Sequence, residues 1–153
     1  MEDLLIPILK GKTVIVGIGN PLRGDDGVGP YLVEILQGRV NAVCIDAGTA
    51  PESYIGKILK EFPDTVLIVD AVHLGLEAGA CQVLEGDEIL KSGLTTHDLS
   101  PRMFMDHLRQ GSRARIYMLG VQPQRVLFGD AMSGSVKKTT EQLAAAITEV
   151  LGA

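Results

Sequence analysis

Continuous apolar runs alternate along the chain with stretches in which apolar positions recur every third or fourth residue. Thr13-Val14-Ile15-Val16-Gly17-Ile18 and Thr65-Val66-Leu67-Ile68-Val69-Asp70-Ala71-Val72 are β-branched runs, as expected of strands buried on both faces. Ala42 to Asp46 and Arg115 to Val121 read as two further strands, and Gly79 to Leu84 as a shorter edge strand. Val28, Leu32, Ile35 and Leu36 recur at helical spacing, with Pro30 suited to the first turn and Gly38 to the stop. Ile55, Ile58 and Leu59 share one face and predict a short helix over 52–62. Ser100-Pro101 offers an N-cap and a first helical position for a helix that Gly111 ends. The last helix carries Val136, Thr140, Leu143, Ile147 and Val150 at steps of four, three, four and three.

Strands alternating with helices predict a largely parallel sheet covered on both faces. Ligands of such sheets bind outside the carboxyl ends of the strands. The residues just after Ile18, Ile45, Val69 and Val121 are therefore where chemistry is to be sought.

Composition narrows the class. With 153 residues the chain predicts one domain over 1–153, long enough to build a core without metal or disulfide staples. A hydrophobic fraction of 46% excludes a disordered chain, and a net charge of −5 suits a nucleic-acid coat poorly. No apolar run approaches a membrane span, and the acidic start Met1-Glu2-Asp3 is no secretory signal, so a soluble cytoplasmic protein is expected. An acidic surface is compatible with a monomer. Cys44 and Cys81 each sit in an apolar run outside any CxxC pattern and read as inert core thiols.

The Gly-rich turn after the first strand runs Gly17-Ile18-Gly19-Asn20-Pro21-Leu22-Arg23-Gly24-Asp25-Asp26-Gly27-Val28-Gly29. Its spacing fits neither GxGxxG nor a P-loop, and it holds no lysine. Asp25 and Asp26 stand where phosphate charge would lie, so the turn argues for a cation. The competing reading is that one of the pair caps the following helix. Asp70 closes the strand Val66 to Val69, where a buried carboxylate needs hydrogen-bond donors or a cation. His97, in Thr95-Thr96-His97-Asp98, lies at a loop–helix junction, and imidazole is the commonest transition-metal ligand. Carboxylates at two strand ends and this histidine make a His-plus-two-carboxylate metal site the leading reading. His73 could line the same rim but reads better as a solvated loop residue, and His107 as a surface position of its helix. GxSxG, HExxH and basic–aromatic nucleic-acid signatures are absent from the sequence.

These residues together resemble the [NiFe]-hydrogenase maturation endopeptidases over about Thr13 to Val150. The most specific segment is the Gly17–Gly29 opening, which looks like the family's G-[IV]-G-N-x-[LM]-x-x-D-[DE]-G-x-G. Ile45-Asp46-Ala47-Gly48-Thr49-Ala50-Pro51-Glu52, Ile68-Val69-Asp70-Ala71, Thr95-Thr96-His97-Asp98 and Leu119-Gly120-Val121-Gln122-Pro123 continue the resemblance in order. The His97 and Gln122 segments most resemble the branch serving energy-converting or formate-linked hydrogenases.

The resemblance implies an α/β three-layer sandwich, phosphorylase/hydrolase-like, with a twisted five-stranded, mostly parallel sheet. It implies an aspartyl-type peptidase that removes a C-terminal extension from the hydrogenase large-subunit precursor after nickel insertion. By motif position, Asp26, Asp70 and His97 would contact nickel and carry the hydrolysis. Nickel would arrive in the substrate, although other divalent metals could occupy such a site. His73 stands where relatives are often acidic. Two rivals stay open: a nickel-sensing chaperone that holds the large subunit uncut, and a peptidyl-tRNA hydrolase, suggested by the Gly-Ile-Gly-Asn-Pro start. Against the latter, the chain lacks that family's Thr-Arg-His-Asn run.

Overall fold

The computed structural model describes residues 1–90, 93–94 and 101–152. Among these residues six strands and six helices follow one another: α1 (Glu2–Leu5), β1 (Thr13–Ile18), α2 (Val28–Leu36), β2 (Val43–Gly48), α3 (Ile55–Leu59), β3 (Thr65–His73), β4 (Cys81–Glu85), α4 (Asp87–Leu90), β5 (Gly93–Leu94), α5 (Pro101–Gly111), β6 (Arg115–Val121) and α6 (Gly134–Leu151). Two 3-10 turns, Gly24–Gly27 and Pro51–Tyr54, lead into α2 and α3.

The main sheet has the order β2-β1-β3-β6-β4. β2, β1, β3 and β6 are parallel, and β4 closes the edge antiparallel to β6. β5 adds a two-residue antiparallel pairing to the end of β3. The five-stranded, mostly parallel α/β sheet implied by the resemblance is thus present.

Strand alternation sorts the core into two layers. Ile15, Leu67, Val69, Tyr117 and Leu119 pack with Leu5 of α1, Leu32 of α2 and Leu143 of α6. Val16, Val66, Ile68, Val72 and Met118 pack on the opposite face with Ile58 of α3, Ile89 of α4 and Phe104, Met105 and Leu108 of α5. The final helix buries Val136, Thr140, Leu143 and Ile147 as its spacing requires, with Val150 half-buried.

Several boundaries move. The helix expected over 52–62 is a 3-10 turn followed by the five residues of α3. Pro63 disfavours helix at Phe62, which takes φ 49° and projects into solvent. β2 covers Val43–Gly48 rather than 42–46, and β4 covers Cys81–Glu85 because Gly79 turns at φ 88°. The Ser100 cap lies outside the described residues.

The chain leaves β1 for β2 through α2 on one face, then returns past β1 to β3 through α3 on the other. The reversal puts the topological switch point between the carboxyl ends of β1 and β3. α2 seats tightly there. A Cβ built on Gly29 would stand 2.5 Å from the amide nitrogen and carbonyl oxygen of Ile18 and 2.6 Å from the carbonyl oxygen of Val69. These are backbone atoms that cannot rotate away, so only glycine lets the helix start against both strands. Gly29→Ala is expected to cost about 3 kcal/mol in urea unfolding, by overpacking against immobile backbone. An unchanged midpoint would show that α2 slides freely on the sheet.

Candidate active site

The switch point gathers three carboxylates. Asp25 and Asp26 lie inside the 3-10 turn after β1, and Asp70 lies near the end of β3; all three are completely buried. Neither aspartate of the pair caps α2. The N-cap position there is Gly27 and makes no side-chain cap bond, so the capping reading is corrected.

Asp25 is bound across the chain instead. Its Oδ2 accepts from the backbone N–H groups of Gln124 (2.7 Å) and Arg125 (3.1 Å). Its Oδ1 accepts from the N–H of Ser133 (2.7 Å), and the Ser133 hydroxyl lies 3.0 and 2.9 Å from its two oxygens. A carboxylate offers about four lone-pair sites, and these four donors fill them. Asp25 has no capacity left for a metal.

Asp26 is held differently. Its Oδ2 accepts from the Asn20 N–H at 2.7 Å, and its own N–H donates to the Arg23 carbonyl at 3.1 Å. The turn folds back on itself because Gly19 takes φ 140° and the Asp26 carbonyl occupies the place of a Cβ on Gly19. The Asn20 side chain adds a local turn bond by accepting from the Leu22 N–H at 2.9 Å.

Asp70 follows Val69, which pairs with Gly17 of β1, and is itself opposite Gly120 of β6. Its Oδ1 accepts from the Ala71 N–H at 2.8 Å. By alternation it shares the sheet face of Ile68 and Val72, the face covered by α5. His97 lies outside the described residues, four positions before α5 begins. Among the described residues no three His, Cys, Asp or Glu side chains gather as a metal site.

A family model for hydrogenase maturation protease, HycI, matches residues 28–150. The chain belongs to the hydrogenase maturation proteases. It is 35% identical to the hydrogenase 3 maturation protease of Escherichia coli, over 84% of this chain and 83% of that one. The crystal structure of the [NiFe] hydrogenase maturation protease HycI from Thermococcus kodakarensis superposes with a TM-score of 0.87 and 34% identity, covering 98% of this chain and 97% of that one. The solution structure of the endopeptidase HycI from Escherichia coli gives 0.82 and 32%, covering 91% and 90%. The protein is accordingly a hydrolase acting on peptide bonds.

Other residues of the protease sort by what they touch. Gln122, in the Gly-Val-Gln-Pro segment, braces the loop leaving β3: its Oε1 accepts from the N–H groups of Leu74 (2.6 Å) and Leu76 (3.4 Å). Asp46 is exposed at the end of β2, where it accepts from the Gly48 N–H at 3.0 Å. His73 ends β3 and is exposed, and His107 is exposed on α5, as their solvated readings require. A groove of about 740 Å³, bordered by Gly24, Gly27, Tyr31, Asp46 and Lys137, opens beside the turn, but neither Asp26 nor Asp70 lines it. The two carboxylates are buried and lie outside the lining of that groove. No helix among the described residues is long and apolar enough to cross a membrane.

The cysteines are free and half-buried, at the margin of the core rather than inside it. Burial pushes both thiols above their ordinary value, because an apolar margin disfavours the thiolate. Both should therefore react with an alkylating reagent more slowly than free cysteine near neutrality, with rates that still climb at pH values where free cysteine has levelled off. Faster labelling than free cysteine near neutrality would reveal an activated thiol.

Proposed function

We propose that this protease removes the C-terminal extension of a [NiFe]-hydrogenase large-subunit precursor, and that Asp26, Asp70 and His97 read the nickel already held in that substrate. The observation carrying this reading is the pair of buried carboxylates, Asp26 and Asp70, on either side of the β1–β3 switch point. The segment bearing His97 leads directly into α5, which packs on the sheet face that Asp70 shares. Two carboxylates and an imidazole form a modest-affinity set, suited to touching a metal that other ligands already hold.

Hydrolysis then needs one carboxylate as general base. It takes a proton from water as the oxygen attacks the scissile carbonyl, and the C–N bond breaks. The proton passes to the departing amine, leaving a new C-terminal carboxylate on the large subunit and a free peptide. A precursor without nickel lacks the group that registers the bond against Asp26 and Asp70, which ties cleavage to metal loading. The reaction belongs to the cytoplasm, where the precursor is made.

Intact-mass analysis of the precursor, nickel-loaded beside nickel-free, tests the reading. Loss of one discrete C-terminal peptide from the loaded sample alone is the expected result. Equal cleavage of both samples would refute nickel reading, and a stable uncut complex would point to a chaperone. Asp26→Asn, Asp70→Asn and His97→Ala should each lower kcat/KM by about 10²–10⁴-fold with the circular-dichroism spectrum retained. A His97→Ala enzyme that processes normally would remove His97 from the centre.

A further inference from the structure

Asp25 has no part in the proposed hydrolysis, yet its four donors come from residues 99 to 108 positions away. Around it the turn and the 124–133 segment are laced together. The Gly24 N–H donates to the Asp130 carbonyl (3.1 Å), the Asp25 N–H to the Arg125 carbonyl (2.8 Å) and the Gly129 N–H to the Leu22 carbonyl (2.8 Å). Arg23 Nε donates to the Val126 carbonyl at 3.2 Å. The Asp25 carboxylate is where the two segments converge, one residue from Asp26.

We propose that Asp25 and Ser133 are positioning residues that hold the Asp26 carboxylate in its reactive placement. The inference rests on the role given to Asp26 in the proposed function. The turn engages Asp26 at two points: the Asn20 N–H donates to one carboxylate oxygen, and the Arg23 carbonyl accepts from its backbone N–H. The turn itself is tied to the 124–133 segment by backbone and side-chain bonds at Arg23, Gly24 and Asp25. An amide at position 25 cannot replace the carboxylate. It has one acceptor oxygen, and its NH₂ would face the N–H groups of Gln124 and Arg125 or that of Ser133, donor against donor. The turn must then back away, carrying Asp26 with it.

Ser133 shows the same priority from the other end. It occupies the N-cap position of α6 yet makes no side-chain cap bond, its hydroxyl being engaged with Asp25. Ser133→Ala therefore loosens the clamp without removing a helix cap. Its site is also distant in sequence from the Asp26 turn.

Two readouts test the clamp. In Asp25→Asn, kcat on the nickel-loaded precursor should fall about 10²-fold with KM within about twofold, since misplacement of a reacting group by about 1 Å has that effect. Ser133→Ala should show the same split at about tenfold. Independently of activity, the Asn20 amide proton, which the Asp26 carboxylate draws downfield, should move upfield in both variants in ¹H–¹⁵N spectra of the full chain. If Asn20 stays in place and activity falls only with the folded fraction, the clamp is purely structural and the proposal is overturned. If Asp25→Asn does not fold, Ser133→Ala decides the question alone by the same criteria. If the wild-type protein leaves the loaded precursor uncut, the proposed function fails, and the Asn20 resonance in Ser133→Ala still decides the positioning role.

Discussion

An ionised carboxylate taken fully out of water survives only where donors replace its hydration, and the turn after β1 meets that demand at two adjacent residues in different ways. Asp25 receives three backbone N–H groups and a hydroxyl, all from the segment joining β6 to α6. Bonds to a charged acceptor contribute about 1.5–3 kcal/mol each, and orphaned buried donors cost a comparable amount. Asp25 therefore acts as a fastener between distant parts of the chain. Asp26 is oriented by its own turn, with Asn20 bonding to a single oxygen. Identical side chains at neighbouring positions so divide into one that holds the turn and one that the turn holds.

The sheet supplies the rest of the arrangement. Because β1 lies between β2 and β3, the chain must reverse direction across it, and the crevice this opens lies at the strand ends that carry Asp26 and Asp70. α2 begins so close to Ile18 and Val69 that a methyl group cannot be accommodated at Gly29. Gln122 braces the loop beyond β3, and the 3-10 turn Gly24–Gly27 packs against the same strand. Backbone N–H groups thus bond both carboxylates, Asn20 to Asp26 and Ala71 to Asp70, near the ends of the two strands that flank the switch point.

Much of this is legible in the residues. β1 and β3 announce themselves as β-branched runs, β6 as an apolar run and α6 as an apolar stripe, because each is long enough for its pattern to show. Asp26 stands out by following β1 and Asp70 by lying near the end of β3, since a parallel sheet fixes where ligands meet it. The four-residue helices α1 and α4 and the two-residue strand β5 escape the pattern, being shorter than a period can reveal. Asp25 is the deeper omission. Its partners are mostly backbone amides, which every residue but proline carries, and they come from about a hundred positions away, so no spacing rule can mark them. Cys44 and Cys81 read as core residues from their apolar neighbours, whereas each stands at the margin of a layer.

The fastening of residue 25 to residue 133 also orders events in time. Contacts of such long sequence separation form late, after the loop they close has lost its freedom. On a ribosome, β1, α2, β2 and β3 can be complete while the donors for Asp25 have yet to be synthesised. Until the start of α6 emerges, the turn bearing Asp26 lacks the bonds that Ser133 makes to Asp25. The clamp on the turn that carries Asp26 is thereby completed only after residue 133 has been made.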